Sequence, residues 1–469
     1  MNEKTEIKWD SYGNPIFYPE LEIEEQPKQT ILNYLIEIIN KISPSFCAAK
    51  WYNATIWLGN GRTASCHLPP AHTIPIAEIK QNPSALHNTV FKKDRRLEML
   101  IGKRCDECAY CWTVEDNAAP DVYSDRVYKT RIYEEAEILQ LAKLDPRSDV
   151  DPKTLEISFD NLCNLSCSYC NAEFSTTWAS DIKVNGPYIE LKTSGGGAFQ
   201  NAGEHALPYG IKNENNPYIE AFFTWFHASL KNNLQELRIT GGEPTRSPSF
   251  WKLLDECEGT NFDFAVNSNL VMDQIKLNQL ISASKKFKKF DLYTSGEGYG
   301  AHGEFIRHGL NYTVWRNNLI QFAKEGQYNM IHVMMTISAL SIWTVTEFMT
   351  DMLELRKQFS GHQFHMSLNL VRFPSFQNLN VLPEHLKQTQ ADKIETWLSS
   401  VVGLSSAEAN QIERIAVYLR NVDRSQEDTD SQNNKVHDLK SFTRQYANRK
   451  NVNLSTVFPT EFIEWFNTI

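Results

Sequence analysis

The stretch Leu155–Phe174 reads LEISFDNLCNLSCSYCNAEF, and it joins two signals of different kinds. Its first residues alternate, with Leu155, Ile157 and Phe159 on one side, as in a half-buried β-strand. Cys163, Cys167 and Cys170 follow at once, spaced C-x3-C-x2-C. Thiols this close share a metal, and a closed structural site takes four ligands. Either a distant cysteine completes the site, or one coordination position stays open. A strand that runs into a ligand-bearing loop is the arrangement of parallel α/β folds, which bind ligands at the C-terminal ends of strands.

Outward from this stretch the same unit recurs. After the strand at 155–160 come LQELRIT (234–240), FDFAVN (262–267), KFDLYTS (289–295), MIHVMMTIS (330–338) and FHMSLNLV (364–371). In the fifth, Ile331, Val333, Met335 and Ile337 share a face. Helical periodicity fills the intervals. NNPYIEAFFTWFHASL offers Asn216 as an N-cap, Pro217 at the first helical position and an apolar face of Ile219, Phe222, Phe223, Phe226 and Leu230. Residues 341–359 and 382–398 are further helices. Six such units in a row predict a parallel sheet, open or closed into a barrel.

The polar motifs fall at the strand ends. The second strand ends into Gly241, Gly242, Glu243 and Pro244, the third into Asn267, Ser268 and Asn269, and the fourth into Ser295 and Glu297. The fifth reaches Ser338 and the sixth Arg372. Thiols, a carboxylate, amides and hydroxyls are thereby set around one rim. A three-cysteine loop can hold three corners of an iron–sulfur cube and leave its fourth iron to an outside ligand. Two glycines at a strand end let backbone approach a ligand closely. Glu243 suits an ammonium group, and the neutral amides and hydroxyls suit a ribose. Together they describe an amino-acid-bearing nucleoside beside a cluster.

Bulk properties narrow the field. The chain has 469 residues, 41% of them apolar, and a net charge of -10, so it carries no footprint for a nucleic-acid backbone. At roughly 100–200 residues per domain it holds several domains. The charged start MNEKTEIKWD has no apolar run behind it, and no stretch nears the length of a membrane span. These features predict a soluble, cytoplasmic protein without a membrane partner. Nine cysteines without a secretory signal favour metal or redox chemistry over disulfides. Cys257 stands alone on a helical pattern and reads as a packed core thiol.

With CNLSCSYC carrying C-x3-C-x-aromatic-C, and GGEP following in order, the chain resembles the radical S-adenosylmethionine (SAM) superfamily over residues 150–375. The resemblance implies a partial (β/α)6 TIM-like barrel. It implies a [4Fe–4S] cluster on Cys163, Cys167 and Cys170, with the amino and carboxylate groups of SAM on the remaining iron. Tyr169 would contact adenine, and Gly241, Gly242, Glu243 and Pro244 would line the methionine amino group. Asn267, Ser268 and Asn269 take the place of a ribose-contacting strand end, although the family often has a Thr-Asn-Gly-like sequence there. Ser295 and Glu297 take the next ribose-proximal end, and Arg307 is a candidate for the SAM carboxylate. The implied activity is reductive cleavage of SAM to a 5'-deoxyadenosyl radical that abstracts hydrogen from a substrate. Relatives act on peptides, proteins or small molecules. The implied electron donor is a flavodoxin or ferredoxin.

A second cysteine group precedes the barrel. Cys47, Gly61 and Cys66 lie in a hairpin-like β segment, and RCDECAYC adds Cys105, Cys108 and Cys111. This spacing resembles the twitch or SPASM auxiliary-cluster domain of radical SAM enzymes, which usually lies after the barrel. It implies a second, auxiliary [4Fe–4S] cluster on Cys47, Cys66, Cys108 and Cys111, with Cys105 spare. A structural zinc on four of the five is the competing reading. His67 and His72 read as loop histidines. The expected organisation is an extension at 1–45, the auxiliary domain at 46–150, the core barrel at 151–400 and a helical C-terminal region at 401–469. Residues 182–215 read as a long inserted loop and 421–435 as a solvated linker. Two other function classes compete: an iron–sulfur carrier or scaffold without SAM chemistry, and a zinc-stabilised binding module.

Overall fold

A computed structural model describes residues 8–9, 15–16, 28–117, 122–201, 216–359, 363–421 and 429–468. They divide into two compact units. Unit one comprises the described residues up to Phe159 with those of 216–238 and Thr260–Phe262; unit two holds the rest. The division therefore lies beyond the expected boundary at 150, and the helix expected after Asn216 belongs with the N-terminal residues.

In unit one, strand β1 (Asn53–Trp57) pairs antiparallel with β2 (Arg62–Ala64), which pairs with β3 (His72–Thr73). Gly61 sits in the β1–β2 turn with φ 62, a conformation suited to glycine, and the Tyr218 ring occupies the space a side chain would need. On its other side β1 runs parallel to β4 (Thr154–Ser158), with Thr55 opposite Glu156. Asn216 caps its helix as expected, its side chain accepting from the Tyr218 and Ile219 N–H groups. A core in this unit packs Leu35, Ile39, Phe46, Trp51 and Trp112 around the cysteines.

In unit two, β5 (Ser166–Cys167) lies in the cysteine loop, and β6 (Glu236–Thr240) carries the chain in from unit one. Strands β7 (Asp263–Ser268), β8 (Phe290–Ser295), β10 (Met330–Ile337) and β11 (Gln363–Leu370) form a parallel run in that order. Between β8 and β10 the two-residue strand β9 (Arg307–His308) pairs antiparallel with β5. Helices at Gln274–Ser284, Tyr312–Glu325 and Val345–Gln358 connect the parallel strands, the βα rhythm read from the sequence. Phe290 packs on Phe322, and the Trp315 indole N–H donates to Thr294 Oγ1 at 3.1 Å, so this helix covers one face of β8.

The C-terminal helices are part of this unit's core. Two N–H groups at the open edge of β11, those of Met366 and Leu368, donate to the Glu408 and Gln411 side chains, each at 2.8 Å. Both acceptors lie one turn apart on the helix Ser406–Asn421, which blunts an edge that could otherwise pair with another strand. The helix Thr429–Arg449 takes in much of the expected linker: Thr429 to Lys435 are helical, and 422–428 lies outside the described residues. Its apolar stripe, Leu439, Phe442 and Tyr446, is buried. The expected loop at 182–215 is likewise partly ordered structure. Residues up to Asn185 belong to the helix Thr176–Asn185, a 3-10 turn spans Ser194–Phe199, and 202–215 lies outside the described residues. Tyr188 and Phe199 pack against Trp178 and Phe442, and Phe442 stacks on Tyr446, which gives this segment a core of its own.

Candidate functional site

The cysteine loop is held by its backbone. Thr177 Oγ1 donates to the Cys163 carbonyl at 2.7 Å and Ser175 Oγ to that of Leu165 at 2.6 Å. Tyr446 Oη donates to the Ser166 carbonyl at 2.6 Å, the Trp178 indole N–H to that of Cys167 at 2.9 Å, and Gln377 Nε2 to that of Ser168 at 2.7 Å. Five carbonyls between Cys163 and Ser168 are therefore pinned from three directions: the following helix, the C-terminal helix and the loop after β11. The thiols stay unpaired by oxidation. Burial pushes Cys167 up to about 12, with Arg307 opposing the shift, and raises Cys163 and Cys170 in the same sense. A metal taken up here displaces protons from buried thiols.

The second strand end is packed onto this loop. Gly241 adopts φ 126, and the Gly242 and Glu243 N–H groups donate to the Asp160 and Leu162 carbonyls at 3.4 and 2.6 Å. A Cβ on Gly242 would press into the Leu162 carbonyl and the Asn161 peptide. Glu243 is buried, and its carboxylate ties two strand ends together. Oε1 accepts from Thr245 N–H (3.1 Å), Thr245 Oγ1 (2.7 Å) and Ser268 Oγ (2.8 Å), and Oε2 from Asn269 N–H (2.5 Å). The sequence reading gave Glu243 to an ammonium group; most of its acceptor capacity is already used by the protein, with one position left on Oε2. Burial pushes its carboxyl up against these four donors. Asn269 Nδ2 donates to Asn164 Oδ1 at 3.0 Å, and Asn164 Nδ2 to the Val271 carbonyl at 2.9 Å, which joins the β7 end to the cysteine loop. Asn267 stands in register with Tyr293, and Ser295 ends β8 in register with Met334.

Tyr169, Glu297 and Arg307 form one buried knot. The Tyr169 hydroxyl donates to Glu297 Oε1 at 2.7 Å and accepts from Arg307 Nη1 at 2.6 Å, while Arg307 pairs with Glu297 at 3.2 Å. The β5–β9 ladder sets Arg307 opposite Cys167. Burial works against the guanidinium charge, but Cys167, Tyr169 and Glu297 outweigh it and keep it protonated. Its Nε has no hydrogen-bond partner in the structure, and neither do Ser166 Oγ and Ser168 Oγ, all buried. Unpaired buried donors beside three thiols fit an anionic group bound among them. Pro244 begins a short 3-10 turn after the strand.

In unit one, Cys47, Cys66, Cys108 and Cys111 line one pocket, open at its mouth, together with Lys50, Asp125, Arg126 and Lys129. Burial pushes Cys47 and Cys111 up to about 12, with neighbouring thiols adding to the shift. Cys105 does not line this cavity: it is buried, and its thiol donates to the Arg95 carbonyl at 3.5 Å. Four thiols edged by three cations and one carboxylate are a donor set that fits an anionic iron–sulfur cluster. Among the described residues no three His, Cys, Asp or Glu side chains are grouped to hold a single metal ion. Thiolates that bind different irons of one cluster are spread more widely than those sharing one ion. His67 lies 3.7 Å from Glu156, His72 bonds Thr89 at 2.9 Å, and neither lines the cavity.

Sequence reasoning missed Trp178, Gln377 and Tyr446. The cap Ser175 and the stripe Leu439, Phe442, Tyr446 were signals for two of them; Gln377 carried none.

No protein-family profile and no curated protein matches the chain. Among solved structures, SuiB of Streptococcus suis bound to S-adenosylmethionine is matched at 14% identity and TM-score 0.36, over 67% of this chain and 60% of that one. Native anSMEcpe with bound AdoMet is matched at 15% identity and TM-score 0.32, over 53% and 61%. TYW1 with a lysine-pyruvate adduct bound is matched at 13% and 0.25, over 52% and 74%. The chain thus spans about 60% of the length of the SuiB and anSMEcpe chains.

Proposed function

We propose that this protein is a radical SAM enzyme whose catalytic site lies in unit two. The observation that carries the reading is the assembly of the three-cysteine loop, the Gly-Gly-Glu-Pro strand end, the Asn269 strand end and the Tyr169–Glu297–Arg307 knot within one compact unit. Cys163, Cys167 and Cys170 would hold a [4Fe–4S] cluster, and SAM would bind beside it. When bound, the two together supply an organic radical able to abstract hydrogen from an unactivated carbon, chemistry that belongs to the cofactor.

The chain's own residues bind and orient. The pinned carbonyls fix where the thiols point. Gly241 and Gly242 bring backbone close to the ligand. Arg307, charged and with a spare Nε–H, is placed to meet a carboxylate. Tyr169 offers its ring for an adenine while its hydroxyl stays engaged by Glu297 and Arg307. The substrate is proposed to be a peptide or protein; the matched structures include SuiB bound to precursor peptide SuiA and anSMEcpe with bound AdoMet and Cp18Cys peptide. The four thiols of the unit-one cavity would hold the auxiliary cluster.

Anaerobic incubation of the reconstituted protein with SAM and a strong reductant tests the reading. We expect 5'-deoxyadenosine and methionine from the wild type and none from Cys167→Ala. An intact cluster without SAM cleavage would instead indicate an electron carrier or scaffold.

A further inference from the structure

We propose that Lys92, buried behind the unit-one thiol pocket, raises the reduction potential of the cluster held there through its positive charge. The inference rests on the reading of that pocket as the auxiliary-cluster site, and every residue it uses belongs to unit one.

The helix Val90–Leu100 carries Lys92, Lys93, Arg95 and Arg96. Lys93 pairs with Asp149 at 2.6 Å and Arg95 with Glu98 at 2.7 Å. Lys92 and Arg96 stand one turn apart on the inward face, 1% and 0% exposed, and among the described residues neither joins an ion pair. Like charges at this spacing repel, and burial without a counter-ion costs more. Neutral groups satisfy their donors. Lys92 Nζ donates to Thr63 Oγ1 at 3.2 Å, to the Ala64 carbonyl at 3.3 Å and to His87 Nδ1 at 3.0 Å, which matches the three donors of an ammonium. The bond from His87 Nε2 to the Trp51 carbonyl, at 2.7 Å, assigns the ring proton to Nε2 and leaves Nδ1 as the acceptor. Arg96 donates to the Lys50 carbonyl at 3.3 Å, to Asn88 Oδ1 at 2.9 Å and to the Ser148 carbonyl at 3.4 Å, and its Nη2 lies 3.0 Å from His87 Nε2. Burial, with Lys92 and Arg96 adding to it, holds His87 far below the usual histidine range, so the ring stays neutral.

Both cations stand behind the thiols. Ala64 precedes Cys66 by two residues, and the Lys50 side chain lines the thiol pocket. The carboxylates around the pocket are committed elsewhere: Glu107 pairs with Lys50, Glu115 with Arg126, and Asp125 shares the lining with Lys129. The buried cations Lys50, Lys92, Arg96, Arg126 and Lys129 outnumber these three carboxylates, and an anion held by the four thiols offsets the excess. Burial works against the Lys92 charge, Arg96 and Lys50 add to that, and Glu107 and Cys66 oppose it. A cluster on four thiolates is anionic and moves this balance towards the ammonium. One more electron on the cluster strengthens the attraction, so the Lys92 charge favours the reduced cluster. Lys92 does not line the pocket, so it acts through its charge and not through a bond to the cluster.

An anaerobic redox titration of the full-length reconstituted protein, followed by electron paramagnetic resonance, tests the proposal. The unit-one signal is the one that persists in the Cys163→Ala/Cys167→Ala/Cys170→Ala variant. Lys92→Gln should make its one-electron reduction about tenfold less favourable, a fall of about 59 mV. Thr63→Asp sets a carboxylate against the ammonium and should lower the potential by a similar amount, which keeps the test open if Lys92→Gln does not fold. Lys92→Arg keeps the charge and should hold the reduction equilibrium within about twofold of wild type. Lys93→Gln, on the outer side of the same helix, should also change it by less than about twofold. An unshifted potential in Lys92→Gln or, where that variant does not fold, in Thr63→Asp would overturn the proposal. So would an equal fall in Lys92→Arg or in Lys93→Gln. Absence of any unit-one iron–sulfur signal would overturn the auxiliary-cluster reading as well, whereas a signal that is present and unshifted overturns this proposal alone.

Discussion

Glu243 shows how one side chain can be legible by motif and differently employed in the fold. The Gly-Gly-Glu-Pro stretch marked it as a site residue, and the nucleoside argument assigned it to an ammonium. In the structure its carboxylate gathers donors from Thr245, Ser268 and Asn269, which fixes the β6 end against the β7 end. The sequence could not show this, because Ser268 and Asn269 lie a strand and a helix away in the chain. A glutamine at this position keeps the size but turns one acceptor into a donor facing the Asn269 N–H. Glu243→Gln should therefore lower unfolding free energy by about 1–3 kcal/mol and weaken SAM binding together, read by urea unfolding and by equilibrium dialysis with SAM. A loss of SAM binding with no change in stability would restore the direct ammonium role.

At the scale of elements, strands were the most readable part of the chain, because alternating burial leaves a period-two record in each. All six expected strands form, each shifted by no more than two residues at either end. The C-terminal residues 401–469 were expected as a helical region from their pattern alone, and the partners of their charged side chains lie on distant elements. Glu408 is the clearest case. It accepts the Met366 N–H of the β11 edge and pairs with Arg356. Burial works to raise its carboxyl, but Arg356 and the N–H groups of Ser405 and Met366 outweigh it and hold it below the ordinary glutamate range. With the folded value depressed, the pair contributes fully above the unfolded value of about 4.3, and its contribution is lost as pH falls through the folded one. Glu408→Ala leaves the buried Met366 N–H without an acceptor and Arg356 with only the Gly403 carbonyl, and should cost about 3–5 kcal/mol near neutral pH. The difference from wild type, measured by urea unfolding across pH, should stay level down to about pH 5 and shrink below about pH 4. A difference independent of pH would mean that packing, not charge, holds this helix to the edge.

For the molecule as a whole, the distribution of thiols is the feature that sequence and structure describe in the same terms. Cys163, Cys167 and Cys170 lie in unit two, and Cys47, Cys66, Cys105, Cys108 and Cys111 in unit one. Spacing alone could group the cysteines, but it could not rank the five in unit one. Placement separates them: four line a shared pocket, while Cys105 is turned toward the Arg95 carbonyl. If each unit holds its own four-iron cluster, metal content should be modular. Anaerobically reconstituted wild type should carry roughly eight irons and eight sulfides per chain, and the Cys163→Ala/Cys167→Ala/Cys170→Ala variant about four of each. Cys105→Ala should leave the count unchanged, whereas Cys108→Ala should remove about four irons while the unit-two cluster persists. Zinc in place of iron in the triple variant would assign unit one a structural metal, and a count that falls to zero there would show that the two thiol groups serve one site.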